Sequence, residues 1–231
     1  MDLGISGKRA LVVGASRGMG AAVAWALREA GCETFSVSRS GIAAIDIRAD
    51  VTDRDQRAWL VSFVERADII VHVTGGSIGI RDPLSSTEDM MKVWMANLGY
   101  AHEINRAFLP GMAERGWGRI VHFSSNGVKL ATGNVPYISA KGAVEAYVRN
   151  MSRVYADKGV VISCVAPGPI ETRGIFMYDQ NEEWTKEFFD KYVPMKRWGQ
   201  AEEVAGAVAL LCSQHASYMA GAIVPVDGGM R

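Results

Sequence analysis

Tyr137 and Lys141 stand four residues apart in Tyr137-Ile138-Ser139-Ala140-Lys141, a spacing that places a phenol and an ammonium on one face of a helix. A phenol titrates at about 10 in water. At neutral pH it exchanges protons well only where something stabilises the phenolate, and a nearby lysine does so by opposite charge. Upstream, Gly118-Arg119-Ile120-Val121-His122-Phe123 runs into the pair Ser124-Ser125. A hydroxyl there could donate to a substrate oxygen on which negative charge grows. Tyr-x-x-x-Lys alone is a weak signal. With an upstream serine and a dinucleotide-binding turn it becomes specific, and the chemistry it describes is proton transfer to a carbonyl or from an alcohol.

That turn is present. Gly14-Ala15-Ser16-Arg17-Gly18-Met19-Gly20 lies between an apolar run and the start of a helical pattern, where glycine lets the backbone approach a pyrophosphate and the helix N-terminus offers free N–H groups. Gly14, Ser16, Arg17, Gly18, Met19 and Gly20 are the candidate contacts.

From this point the chain resembles the short-chain dehydrogenase/reductase family, from Lys8 to Gly229. Asp50-Val51 is similar to its adenine-side pair, and Thr74-Gly75-Gly76 to the close of its Asn-Asn-Ala-Gly segment. Pro167-Gly168-Pro169-Ile170-Glu171-Thr172 resembles its nicotinamide-side loop, with Pro167, Gly168, Ile170 and Thr172 as contacts. The resemblance implies a catalytic set of Asn97, Ser125, Tyr137 and Lys141, with Ser125 favoured over Ser124 by alignment from Gly118. Tyr137 would be acid and base, and Lys141 would hold the phenol and the cofactor ribose. Ser125 would steady the substrate oxygen, and the Asn97 backbone would hold a water near the lysine.

The chain departs from the family in four places. Val13 replaces a threonine, and His72-Val73-Thr74 replaces Asn-Asn-Ala. Ser125 precedes Tyr137 by twelve residues, where thirteen is usual. Only ten residues separate Arg39 from Asp50, so the helix after the second strand is expected to be shortened or missing.

Cofactor choice turns on the group facing the adenosine ribose. Ser38-Arg39 stands at the end of the second strand, with no acid in the deciding position, and Arg17 offers a second guanidinium. An arginine fork suits a 2′-phosphate. NADP(H) is therefore expected over NAD(H).

Elements that would position these groups follow from the pattern. Strands are expected at 9–13, 33–37, 68–73, 119–124, 160–165 and 222–226, with a short one near 44–49. They alternate with helical stripes through Met19 to Ala30, Ala143 to Val154 and Val204 to Leu211. This is the rhythm of an α/β fold, a doubly wound parallel sheet with helices on both faces. No linker or repeat divides residues 1–231, so one dinucleotide-binding and catalytic domain is expected. Residues 172–199, rich in aromatics and acids, read as a helical flap over substrate, and Trp94, Met177, Tyr178 and Trp184 could line a pocket.

Lys and Arg total 25 against 25 Asp and Glu, which gives no field for nucleic acid or anionic lipid. No run is long and apolar enough for a membrane helix. The three cysteines, Cys32, Cys164 and Cys212, lack metal or redox spacing, which fits a reducing cytoplasm. His72, His102, His122 and His215 show no metal-ligand spacing, and no metal is expected. Apolar surface on the Tyr137 helix and the helix before it suggests a homo-oligomer, a tetramer or dimer in the family's manner.

The expected activity is hydride transfer between NADP(H) and a carbonyl or secondary alcohol. Alternatives are an NAD-dependent alcohol, diol or sugar dehydrogenase, or a 3-oxoacyl carrier-protein reductase that docks its carrier on Arg115, Lys129 and Lys158. A catalytically silent dinucleotide sensor is the rival from another class, and it would not need the proton-transfer groups.

Overall fold

The computed structural model describes residues 2–40, 46–172 and 182–230. Seven parallel strands form one sheet in the order β3-β2-β1-β4-β5-β6-β7. They are β1 (Arg9–Val13), β2 (Glu33–Ser38), β3 (Asp46–Arg48), β4 (Ile69–His72), β5 (Gly118–Phe123), β6 (Val160–Pro167) and β7 (Ile223–Val226). The helices are α1 (Gly18–Glu29), α2 (Arg54–Val64), α3 (Thr87–Trp94), α4 (Tyr100–Glu114), α5 (Gly127–Leu130), α6 (Val135–Tyr155), α7 (Glu182–Tyr192) and α8 (Ala201–Cys212). Order reverses between β1 and β4, which makes the carboxyl ends of these strands the place where a doubly wound sheet binds ligands.

Both faces of the sheet are covered, which is why β4, β5 and β6 are buried along their whole length. On one face Leu60 and Val64 of α2, Ile104 and Phe108 of α4, and Val144 and Val148 of α6 pack on Leu11, Ile70, Ile120 and Ile162. On the other, Val23 and Leu27 of α1 and Val204, Val208 and Leu211 of α8 pack on Ala10, Val12, Ile69 and Val121. Each fully buried aliphatic side chain contributes about 1.5–3 kcal/mol by leaving water, so Ile120→Ala should cost about 2–5 kcal/mol.

Between β2 and β3 lie only residues 39–45, and a parallel crossover helix needs about a dozen. The register explains how so short a link suffices. Asp46 pairs with Ser36 and Arg48 with Ser38, so the chain retreats by only two residues before running forward again. Residues 41–45 lie outside the described ones, as do Met177 and Tyr178 of the expected flap and the Trp184 side chain. Within the flap, 182–192 are helical.

Between α3 and α4, Met95–Gly99 forms a π-turn, the result of one residue added to an α-helix. Trp94 packs against the core, and a Cβ on Gly99 would lie 2.7 Å from its ring. The ring is partly buried and packs on the core with its inner side.

Candidate active site

The loops at the carboxyl ends of β1, β4, β5 and β6 bring the expected residues to one edge. After β1, Gly14 takes a φ of +96°, and a Cβ there would lie 2.6 Å from Thr74 Oγ1. Gly20 is equally constrained, since a Cβ would sit 2.0 Å from the Gly14 carbonyl oxygen. The turn leads into α1, whose N-cap residue, Arg17, makes no side-chain cap. The first N–H groups of α1 are thus left without a side-chain acceptor, which fits a bound phosphate. Ser16 and Met19 flank the turn, and Met19 also packs on the core. Thr172 closes the far side, its methyl 3.1 Å from where a Gly18 Cβ would be.

At the adenosine edge, Ser38 ends β2 and is buried, while Arg39 is exposed. Arg39 Nη1 reaches Asp50 Oδ2 at 3.9 Å, a pair that solvent screens. Asp50 also accepts from Thr52, and buried Val51 enters the core. Arg48, which the sequence pattern did not single out, pairs with Ser38 in register and is exposed.

After β4, Thr74 N donates to the Val13 carbonyl at 3.1 Å, and the Thr74 carbonyl accepts from Tyr100 OH at 3.1 Å. Asn97 lies in the π-turn. Its Oδ1 accepts from Gly76 N at 2.9 Å, and its Nδ2 donates to the carbonyls of Gly76 and Val93, both at 2.8 Å. Gly75 is wedged between functional groups, since a Cβ would lie 2.4 Å from Asn97 Oδ1 and 3.0 Å from Lys141 Nζ.

After β5 the two serines separate. Ser124 is buried and donates to Glu145 Oε1 at 2.8 Å. Ser125 stands near enough to the Tyr137 hydroxyl to oppose the rise in its pKa and accepts from Gly127 N at 3.2 Å. Asn134 caps α6 by accepting from Tyr137 N at 3.1 Å, which fixes the tyrosine in the first helical turn, where the helix dipole favours an anion. One turn on, Lys141 Nζ lies 5.7 Å from the Tyr137 ring centre and donates to the Phe123 carbonyl at 2.7 Å.

Burial lowers the Lys141 pKa to about 8. It raises that of Tyr137, and Ser125 beside it works against this rise. At neutral pH the phenol is therefore protonated and the lysine charged, the state from which a proton is given.

On the nicotinamide side, Asn126 N donates to the Pro167 carbonyl and Gly168 N to that of Val226, both at 3.0 Å. Gly168 is held against Asp227, where a Cβ would lie 2.7 Å from its Cα. Ile170 bridges to Gly199. A cavity of about 300 Å³ opens behind this loop, lined by Ile170, Met195, Arg197 and Asp227 among others, but Ser125, Tyr137 and Lys141 do not line it. Among the described residues no group of three His, Cys, Asp or Glu side chains could hold a metal ion.

A family profile described as enoyl-(acyl carrier protein) reductase matches residues 14–231. The chain belongs to the short-chain dehydrogenase/reductase family. It is an NAD(P)(H)-dependent oxidoreductase that works between a carbonyl and an alcohol. This short-chain oxidoreductase is 34% identical to the gluconate 5-dehydrogenase of Gluconobacter oxydans (strain 621H), over 98% of this chain and 95% of the relative. It is 30% identical to the 3-oxoacyl-[acyl-carrier-protein] reductase of Pseudomonas aeruginosa, over 99% of each. L-sorbose reductase from Gluconobacter frateurii, solved with NADPH and L-sorbose, superposes with a TM-score of 0.89 at 26% identity, covering 100% of this chain and 98% of that one.

One expectation about the short-chain oxidoreductase needs correction. Arg115 bonds to the Ala67 carbonyl and Asp68 at the amino end of β4, and Lys158 stands two residues before the start of β6. Both sit at the edge opposite the site, so only Lys129, in α5 just beyond Ser125, remains of the three carrier-docking candidates.

Proposed function

We propose that this enzyme reduces a carbonyl compound with NADPH, using Ser125, Tyr137, Lys141 and Asn97. The observation that carries this reading is a lysine anchored to Phe123 and lying 5.7 Å from the Tyr137 ring, with Ser125 beside the phenol. Ser125 donates to the substrate oxygen and Tyr137 delivers its phenolic proton to it. Lys141 supplies the positive charge that stabilises the phenolate left behind. A bound nicotinamide supplies the hydride and, once oxidised, adds positive charge beside the phenol. Asn97 holds the Gly76 backbone against the site, and its own backbone, as in the family, supports proton return through water. Oxidation uses the same groups in reverse.

Three exposed arginines, Arg17, Arg39 and Arg48, with Ser38 in place of an acid, support preference for a 2′-phosphate. The cofactor complex of the sorbose reductase agrees with this choice. We further propose a single domain in a cytoplasmic homo-oligomer, a dimer or tetramer. Three free, buried cysteines support the compartment, and exposed Val135 and Val154 on α6 support the assembly.

Oxidation of NADPH and NADH in parallel, over ketones, diketones, keto sugars and oxoacyl thioesters, tests cofactor and substrate class together. NADPH should give the higher kcat/KM, and Ser38→Asp with Arg39→Ala should weaken or reverse the preference. A wild type that favours NADH would overturn it.

A further inference from the structure

Two histidines lie inside the sheet directly behind the active site. His72 of β4 and His122 of β5 are register partners, with rings 4.7 Å apart, and both are essentially without solvent contact. Between them enters one side chain from α4. Asn105 Oδ1 lies 2.9 Å from His72 Nε2, and Asn105 Nδ2 lies 3.2 Å from His122 Nε2 and 3.4 Å from Tyr147 OH. Tyr147 OH in turn meets exposed His102 Nδ1 at 3.3 Å. The next residue after His122 is Phe123, whose carbonyl holds Lys141 Nζ.

An amide has one accepting end and one donating end. Bridging two imidazoles through their Nε2 atoms, it must find a donor on one and an acceptor on the other, whichever way it is turned. Two neutral rings of opposite tautomer satisfy it, and an added proton on the accepting ring breaks a bond. His72 Nδ1 is buried with no partner, so a proton there would have no acceptor.

The surroundings agree. Around the pair stand Tyr100 and His102 from α4, Lys141 and Tyr147 from α6, and Cys164 from β6, which pairs with His122. Glu145, one turn beyond Lys141, is engaged by Ser124 and Arg149. Among the described residues no carboxylate bonds to either imidazole. Burial holds His72 down at about 4 against the Asn105 bond, which works to raise it, and burial, with His72 and Lys141 beside it, holds His122 well below its ordinary value.

We propose that Asn105 is a positioning residue, whose single amide holds His72 and His122 as neutral imidazoles of opposite tautomer and so fixes β5 where the Phe123 carbonyl anchors the Lys141 ammonium. This rests on the reading that Lys141 serves Tyr137. Without the amide, both imidazoles lose their Nε2 partner, β5 is no longer pinned behind the site, and the Phe123 carbonyl holds the ammonium less well beside the phenol.

The test combines spectra and kinetics. ¹⁵N spectra of the wild-type imidazoles should show one ring protonated at Nδ1 and the other at Nε2, with both unchanged from pH 8 down to 6. Identical tautomers, or titration of either ring in that range, would overturn the proposal. Alcohol oxidation by Asn105→Leu should match wild type at pH 8 and fall by about ten-fold relative to it at pH 6, the effect of about one unit of pKa shift. Asn105→Gln, which keeps an amide, should recover most of the loss at pH 6, whereas a purely structural defect would persist at every pH and count against the proposal. The spectra use the wild-type chain and so decide the point even if the variants do not fold. Full turnover by Tyr137→Phe would instead overturn the catalytic assignment and leave the tautomer result standing.

Discussion

Lys141 Nζ donates to the carbonyl oxygen of Phe123 at 2.7 Å, tying α6 to β5 two residues before Ser125. The ammonium is thereby held beside the phenol even though burial disfavours its charge, and it is lost as pH rises through about 8. Removing a cation from beside a phenol raises the phenol's pKa. Lys141→Met should therefore slow turnover and move the rising limb of the oxidation pH profile upward by about 1–3 units. A profile of unchanged position in a folded, cofactor-saturated variant would contradict this.

Tyr137→Phe keeps the ring and the Asn134 cap, which uses the backbone N–H, and removes the transferable proton. Turnover should drop by at least about 10²-fold with cofactor binding retained. Cofactor titration by fluorescence alongside steady-state rates separates the two effects, and near-normal turnover would mean that another group is the acid.

The serine pair should divide by function. Ser125→Ala removes a donor that faces Tyr137, so kcat should fall by about 10²-fold or more while the fold holds. Ser124→Ala instead removes a buried bond to Glu145 and should cost about 1–3 kcal/mol of stability, with turnover changed only a few-fold. Urea unfolding and kcat on both variants check the division, which fails if Ser124→Ala is the more severe for turnover.

Two glycines make opposite tests of packing. Gly75→Ala would push a methyl against Asn97 Oδ1 and Lys141 Nζ and should lower both activity and stability. Gly206, inside α8, has nothing within 4 Å of an added Cβ, so Gly206→Ala should stabilise by up to about 1 kcal/mol without touching turnover. Thermal unfolding and activity of the two variants give the comparison.

Strand positions were legible because a sheet buried on both faces writes itself as apolar runs. Six of the seven strands start within a residue of their expected positions, β3 starting two residues later, and β6 runs two residues further than expected, to Pro167. The charged helix α2, with Asp53 as its cap, carries too thin an apolar stripe to announce itself. Ser125 and Tyr137 were legible as types at a spacing. The brace behind them was not, because Asn105 meets partners 33 and 17 residues away and nothing local marks it. Glu145 could have been found, since it follows Lys141 by one helical turn. Arg115 and Lys158 misled because a sequence does not say at which edge of a sheet a charge will emerge.

The π-turn at Met95–Gly99 stores the placement of Asn97 as a count. Deleting one residue there would let 87–114 close into an unbroken α-helix, a locally more regular structure, and would swing the segment before it by about 100° relative to the segment after it. Asn97 would then leave Gly76 and Val93 unanswered. Regularity and activity are thus opposed at this one point, and a length change that an exposed loop absorbs would here erase the site without disturbing a single catalytic side chain's identity.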